Sequence, residues 1–283
     1  LALRTLCGLS TGQIAAVLLM TESAMAKRLT RTRQKIVAAH IPYRVPARAE
    51  LANRLTAVCG VIHALYTTGH APTTGAAVVN VDVCAEAIRL GRLVVDLVPD
   101  EPQPTALLAL LLLTDARRAA RADDAGDVIP LSDQDRSLWD LEQIVEGRAL
   151  LDSSLRRTCG IADPYQLQAA IAAEHARSPS YAGTNWREIV RLYDLLLSVA
   201  PSAAVQLNRA VAVAEANGAA AGLTALASVA PSPRWHAVRG ELLARKGRYA
   251  EAVEATAAAL GGELAAPERR YRERRLAEWA TRV

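Results

Sequence analysis

Residues 6–36 read LCGLSTGQIAAVLLMTESAMAKRLTRTRQKI, a stretch that predicts two helices joined by a short turn. Ser10 is followed three positions later by Gln13, which is the pattern of a capping box and predicts a helix over residues 10–19. Thr21 has the side chain of an N-cap, and we expect it to begin the second helix. The stretch therefore predicts a helix-turn-helix, and from it an all-α protein.

The second helix is predicted to have one buried face and one polar face. The buried face has Met25, Leu29, Thr32 and Ile36 at steps of four, three and four. The other face carries short polar and basic side chains, the types that reach base edges and phosphates in DNA. The expected DNA-binding residues are Thr21, Glu22, Ser23, Ala26, Lys27, Arg28, Thr30, Arg31, Arg33 and Lys35. An ordinary amphipathic helix with a solvated basic face has the same pattern and stays open as an alternative.

The net charge of +4 is distributed unevenly along the 283 residues. Residues 1–48 carry eight Lys or Arg and a single acid, Glu22, which gives +7. The other 235 residues carry 25 basic and 28 acidic groups, which gives −3. A local basic excess is typical of a module that binds a polyanion. The net negative charge of the other residues does not favour binding to nucleic acid.

The composition excludes several classes of protein. The longest apolar run, residues 106–113, is far shorter than the roughly 20 residues of a membrane span, so no membrane partner is expected. No cysteines form a CxxC pair, which predicts buried thiols in a reducing cytoplasm for Cys7, Cys59, Cys84 and Cys159. Neither metal-ligand spacing nor a phosphate loop nor a nucleophile motif is present, so we predict no enzyme, no cofactor and no metal. His175 is expected to be solvated or to cap its helix.

The rest of the chain is predicted to be helical, with one turn or short hairpin over residues 122–130. Helices are expected over residues 81–98 and 103–114, separated by prolines. Two further apolar stripes have helical spacing: Leu51, Leu55, Val58, Ile62 and Leu65, and Trp186, Ile189, Val190, Tyr193, Leu196 and Leu197. The predicted domains are a helix-turn-helix (1–40), a linker (41–50), a helical extension domain (51–180) and tetratricopeptide-like repeats (181–283).

One internal repeat is explicit, since SVAPS occurs at residues 198–202 and again at residues 228–232. The segment after the second copy has Gly240, Gly247 and Ala252 at the places where a tetratricopeptide unit has small residues. This pattern favours a short helical solenoid over roughly residues 186–281. An irregular helical bundle is the alternative.

A polar segment before a tryptophan is the predicted contact site of the extension. Its candidate residues are Asp133, Gln134, Asp135, Arg136, Trp139 and Asp140. We expect Asp133 to cap a helix and Arg136 to pair with a carboxylate, with a cation site as the alternative. The pair Arg117 and Arg118 is a second candidate.

Residues 6–36 resemble region 4 of the extracytoplasmic-function sigma factors of bacterial RNA polymerase. The matching runs are Gly8-Leu9-Ser10, Gln13-Ile14-Ala15, Arg28-Leu29 and Arg31-Thr32-Arg33. The remainder resembles the long C-terminal extension of one subgroup, so the resemblance covers essentially the whole chain. Its runs are IPYRVP (41–46), CAEAIRL (84–90), DQDRSLWD (133–140), PYQLQAAIA (164–172) and PERR (267–270).

This resemblance implies a cytoplasmic sigma factor that binds the −35 promoter element through residues 1–40 and has core RNA polymerase as its partner. Region 2 of such sigma factors is absent from this sequence, so we expect a fragment whose further partner is the missing region 2. The family's FNEGY run is here Tyr66 to His70 (YTTGH), and Thr114 replaces an acid or His before DARR. The alternative is a helical-repeat regulatory module that binds a protein or a ligand and has a vestigial helix-turn-helix.

Overall fold

The computed structural model describes residues 1–18, 20–40, 48–262 and 264–283, with the backbone alone for residues 48–53. Within these residues the protein is all-helical, as predicted, and no strand is formed. The helices are α1 (Ala2–Thr5), α2 (Thr11–Val17), α3 (Glu22–Ala38), α4 (Arg48–His70), α5 (Val81–Leu97), α6 (Pro102–Asp115), α7 (Leu141–Arg157), α8 (Pro164–Arg177), α9 (Trp186–Val199), α10 (Ala203–Asn217), α11 (Ala219–Leu226), α12 (Pro233–Ala244), α13 (Tyr249–Ala259) and α14 (Ala266–Ala280).

Helix α6 lies at the centre of the first half of the molecule. The apolar run from Ala106 to Leu113 is buried along its whole length, and the helix packs against α4, α5, α7 and α8. A helix that is apolar on every side needs neighbours on every side, which is why this segment is internal. None of the described helices has the length and apolar character needed to cross a membrane.

The predicted helices at 81–98 and 103–114 are confirmed, since α5 and α6 occupy these positions. The hairpin predicted over residues 122–130 is also confirmed, because Ala122 and Val128 form an isolated antiparallel bridge.

The first three helices share an apolar cluster with α4 and α5. Leu3, Ile14 and Met25 belong to the same buried cluster as Ile62 and Leu65. The apolar stripe predicted on α4 is wrong at one position: Val58 is 40% exposed, and the adjacent Cys59 is fully buried instead.

The predicted linker at residues 41–50 is only partly covered by the structure. Residues 41–47, which include the IPYRVP run, lie outside the described residues, and so does the side chain of Leu51. Helix α4 begins at Arg48, so the last three residues of the predicted linker are helical.

The second half of the chain consists of helical hairpins. Helices α10 and α11 pack together, as do α12 and α13, and the turns between them contain Gly218 and Gly247. Both glycines have positive φ, 90° and 71°, a conformation in which a Cβ would be strained. Gly222 lies so close to α10 that an added Cβ would meet the Cβ of Ala214 at 2.4 Å.

The two copies of SVAPS have the same local structure. Ser202 and Ser232 are the N-caps of α10 and α12, with φ of −153° and −155°. Each hydroxyl accepts a hydrogen bond from the backbone N–H three residues later, at 3.2 and 3.1 Å. The sequence echo therefore marks equivalent positions in consecutive hairpins.

The last helix returns to the first half of the molecule. Arg270 and Arg274 of α14 both donate to the carboxylate of Asp127 in the hairpin. The N–H of Ala266 donates to the carbonyl oxygen of Gly75 at 2.9 Å. Helices α8 and α9, on either side of the predicted boundary at 180, share one apolar cluster. These contacts join the C-terminal helix to the first half of the molecule.

Candidate nucleic-acid interface

The first two predicted N-caps of the chain are confirmed. The hydroxyl of Ser10 accepts from the N–H of Gln13 at 3.1 Å, and the Gln13 side chain accepts from the N–H of Ser10 at 2.8 Å. The hydroxyl of Thr21 accepts from the N–H of Ala24 at 3.3 Å and begins α3. Helix α2 ends at Val17, two residues earlier than predicted, and Leu19 lies outside the described residues.

The buried face of α3 fixes which side of the helix points to solvent. Met25 and Leu29 are 2% and 8% exposed, and they belong to the same cluster as Ile14 of α2. Thr32 and Ile36 are only half-buried, because the second half of α3 extends past its neighbours. The predicted buried face is therefore confirmed over the first two turns.

All ten residues predicted to contact DNA are exposed. They lie at the N-cap of α3 and along its free face: Thr21, Glu22, Ser23, Ala26, Lys27, Arg28, Thr30, Arg31, Arg33 and Lys35. The structure thus places them on the solvated part of α3, which runs for about four turns over residues 21–35, given 3.6 residues per turn.

The cations of this surface differ from those in the rest of the chain. Among the side chains that the structure describes, no carboxylate forms an ion pair with Lys27, Arg28, Arg31, Arg33 or Lys35. Elsewhere in the described part of the chain just over half of the arginines are ion-paired, for example Arg89 with Glu86, Arg191 with Glu188, Arg209 with Asp194, and Arg275 with Glu241. Unpaired cations on one face produce a positive potential that attracts a polyanion.

Several polar side chains of α3 are engaged within the protein. The hydroxyl of Thr30 donates to the carbonyl oxygen of Ala26 at 3.1 Å, and those of Thr21 and Ser23 lie 3.4 Å apart. The long side chains of the first two turns, Glu22, Lys27 and Arg28, have no such bond to a described residue.

The segment Asp133–Asp140 packs against the end of α8 and the loop after it. Arg136 donates to the carbonyl oxygens of His175 and Ser178 at 2.5 and 2.7 Å, and to the hydroxyl of Thr184 at 3.1 Å. The prediction that Arg136 pairs with a carboxylate is wrong, because these oxygens belong to two carbonyls and a hydroxyl.

The capping prediction for the same segment is wrong as well. Asp133 is exposed and caps no helix. The caps are two other aspartates. Asp135 caps a short 3-10 helix, Arg136–Leu138, and accepts from the N–H of Ser137 at 2.8 Å. Asp140 caps α7 and accepts from the N–H of Gln143 at 3.0 Å. Gln134 donates to the carbonyl oxygen of Ile129 at 3.1 Å. Within the described part of the chain, no three His, Cys, Asp or Glu side chains are grouped as metal ligands.

Trp139 anchors this segment in the apolar interior. It is 7% exposed, and the guanidinium of Arg136 lies over its ring at 4.8 Å from the centroid. Its indole N–H has no hydrogen-bond partner among the described residues.

Tyr66 and His70 of the YTTGH run lie in a polar cluster with Arg121, which follows the DARR run (115–118) by three residues. Arg121 donates to the carbonyl oxygen of His70 and lies 3.1 Å from its Nδ1, and the ring of Tyr66 stacks on His70. Nearby, burial raises the pKa of the Asp115 carboxyl, which pairs with Arg118 at 3.2 Å.

His175 and Cys159 lie in surroundings that differ from those predicted. His175 was predicted to be solvated or to cap its helix, but its Nδ1 is buried without a partner, and burial lowers its pKa to about 4, with Arg117 and Arg136 adding to the shift. All four cysteines are free, and Cys59 and Cys84 are buried as predicted, but Cys159 is exposed.

An apolar groove adjoins the N-terminal helices. It has a volume of about 850 Å³ and lies between α1, α4 and α5. Leu6 at one end is 77% exposed, and Val58 and Leu93 are 40% and 45% exposed. Contiguous exposed apolar surface of this kind marks contact sites for other proteins.

Comparisons with known proteins found similarity to a family model and to a curated relative. Residues 54–155 match the model of a family described as a family of unknown function, DUF6596. An uncharacterized protein of Rhizobium meliloti is 44% identical over 260 residues, which is 89% of this chain. The chain spans 60% of the length of that relative.

Proposed function

We propose that this chain is the promoter-binding and regulatory part of a bacterial sigma factor of the extracytoplasmic-function type. The observation that carries the proposal is the free face of α3, where five cations have no ion-pair partner among the described side chains. In this proposal the protein is not an enzyme and works by binding DNA and other proteins. Its partners are the −35 element of promoter DNA, core RNA polymerase and region 2 of the sigma factor, all in the cytoplasm.

In this proposal α2 and α3 form a helix-turn-helix. The first turns of α3 enter the major groove, where Ser23 and Lys27 face base edges. Arg31 and Arg33 lie farther along the helix and bind phosphates on the flank. The N-terminus of α3 adds a partial positive charge that favours a nearby phosphate.

The extension acts as a protein-binding scaffold. The equivalent caps at Ser202 and Ser232, and the close approach of Gly222 to Ala214, support a tetratricopeptide-like interpretation of α10–α13. The apolar groove between α1, α4 and α5 supports contact with a protein partner.

The test is the base preference of DNA binding by the chain and its variants. Lys27→Ala should change which −35 sequence is preferred, because it removes a base contact. Arg31→Ala should weaken binding to all sequences by a similar factor, because a phosphate contact carries no sequence information. Arg156→Ala, at an exposed position on α7, is the matched control and should change neither. If base preference follows Arg33 instead, the proposed orientation of α3 in the groove is wrong.

A further inference from the structure

A cavity lies between α6, α8, α9 and α10, and no residue of α3 lines it. Its volume is about 760 Å³, within the range of roughly 300–1,000 Å³ that is usual for small-molecule sites. Its walls include the indoles of Trp139 and Trp186 and the aliphatic side chains of Ile171, Ile189 and Leu196. The walls therefore suit an apolar body.

The charge of this cavity has one sign. Its described lining contains Arg117 and Arg234 but neither Asp nor Glu. His63 and His175 also line it, and burial lowers the pKa of both, so they are neutral near pH 7. With two cations and no carboxylate, the cavity favours an anion.

Arg117 has no partner among the residues that the structure describes, although its neighbours do. Arg118 pairs with Asp115 at 3.2 Å, Arg121 bonds His70, and Arg136 bonds three oxygens. Arg117 is half-buried and lines the cavity, and burial lowers the pKa of its guanidinium. A partly desolvated cation without a partner is unfavourable, so a counter-ion bound in the cavity would stabilise it.

In a second cavity, by contrast, most of the lining charges are paired within the protein. It has a volume of about 1,100 Å³ and lies between α10, α12 and α14. Three of its arginines are paired with carboxylates of the same lining, Arg275 with Glu241, Arg272 with Glu268, and Arg245 with Glu215. Arg234, which lines both cavities, has no ion-pair partner among the described side chains, but five carboxylates line this second cavity beside it. Because these charges cancel within the protein, this second cavity gives no such indication of an ionic ligand.

We propose that the cavity containing Arg117 binds a small organic carboxylate. The planar guanidinium of Arg117 pairs with the carboxylate, a geometry in which two N–H groups donate to the two oxygens. The apolar body of the ligand lies between Trp139 and Trp186, and the side chains of Tyr193 and Asn208 are the polar groups beside it. Arg117 is half-buried and Arg234 is exposed, so one cation faces the interior of the cavity, which matches a monoanion. This inference rests on the cavity alone and holds whether or not α3 binds promoter DNA.

The experiment uses the complete chain and the fluorescence of its tryptophans, two of which line the cavity. The probes are benzoate and 4-phenylbutyrate, with 4-phenylbutanamide as the neutral analogue of the second. We expect 4-phenylbutyrate to bind with a Kd below about 1 mM. The amide should bind at least about tenfold more weakly, because it lacks the charge that Arg117 pairs with.

Variants locate the binding. Arg117→Gln should weaken 4-phenylbutyrate binding about tenfold or more and leave amide binding unchanged. Arg187→Gln removes the same charge from an exposed position on α9 beside the cavity wall and should change neither. Arg117→Gln should also raise the melting temperature of the unliganded protein, since it removes an unpaired desolvated cation.

Four results would overturn the proposal. The first is that neither carboxylate binds, and the second is that the amide binds as tightly as the acid. The third is equal weakening by Arg117→Gln and Arg187→Gln, which would place the probe elsewhere or show a general charge effect. The fourth is failure of Arg117→Gln to fold, measured by circular dichroism, because it would mean that Arg117 has a structural partner.

Discussion

Arg136 donates a hydrogen bond at 2.5 Å to the carbonyl oxygen of His175, which lies in the last turn of α8. The carbonyls at the end of a helix have no partner within the helix, and a cation there also interacts favourably with the helix dipole. The guanidinium therefore closes the end of α8 and fixes the segment before α7 against it.

Replacing Arg136 should cost stability. Arg136→Ala removes three hydrogen bonds from a charged donor and leaves two carbonyl oxygens unsatisfied, so we expect a loss of about 2–3 kcal/mol in the free energy of unfolding. The measurement is urea denaturation followed by circular dichroism. Asp133→Ala, at the exposed neighbour that caps no helix, should change the free energy by less than about 0.5 kcal/mol. Equal effects would show that the segment does not hold α8 in the way described.

Two glycines in helices should respond to alanine in opposite directions. Gly222→Ala should destabilise the protein by about 1–3 kcal/mol, because the new Cβ would lie 2.4 Å from that of Ala214. Gly60→Ala in α4 has no atom within 4 Å of the new Cβ and should stabilise by about 0.5–1 kcal/mol. Melting temperatures of the two variants test this pair, and a stable Gly222→Ala protein would contradict the close packing of α10 and α11.

The two repeated N-caps should contribute alike. Ser202→Ala and Ser232→Ala each remove a hydroxyl that accepts a backbone N–H, and each should cost about 1 kcal/mol. Denaturation of the single and double variants checks both the magnitude and the addition of the two effects. A large difference between the single variants would mean that the two copies of SVAPS are not equivalent in the folded protein.

The buried His175 should make stability depend on pH. Its pKa is about 4 in the folded state, because of burial first and of Arg117 and Arg136 next, and about 6.5 in the unfolded chain. Between these values the unfolded state binds more protons, so stability falls as pH decreases from about 6.5 to about 4, by at most about 3 kcal/mol. His175→Phe keeps a ring beside Trp186 and should reduce this fall, while above pH 7 the two pH profiles should run parallel. Profiles that stay parallel down to pH 4 would contradict the burial of His175.

Local features of the fold were predictable from the sequence, because they depend on residues a few positions apart. Ser10 with Gln13, Thr21 as N-cap, and the apolar steps from Met25 to Leu29 are all of this kind. The burial of Cys59 in place of Val58 was not predictable from the sequence, since it depends on how α4 is rotated against α5 and α1. Likewise, Cys159 is exposed because it follows the end of α7, which the composition does not indicate.

The candidate sites divide in the same way. The exposed face of α3 follows from the spacing within one helix, so the sequence predicted its ten residues together. The cavity around Arg117 brings together residues of α6, α8, α9 and α10. Arg117 was marked in the sequence only as half of a charged pair, because no spacing between Trp139, Tyr193 and Asn208 indicates that they face one another. The partners of Arg136 were also not predictable, because every residue has a backbone carbonyl and the side-chain types do not indicate which carbonyls accept its hydrogen bonds.

The central claim is that the unpaired cations of α3 bind the phosphates of duplex DNA, and the salt dependence of that binding tests it most directly. Four or five phosphate contacts predict that the logarithm of the binding constant falls with the logarithm of salt concentration with a slope of about −4, at roughly −0.9 per contact. Arg31→Ala should reduce the magnitude of the slope by about 1, and the matched control Arg156→Ala should leave it unchanged. An affinity for duplex DNA that stays the same between low and moderate salt would contradict the account.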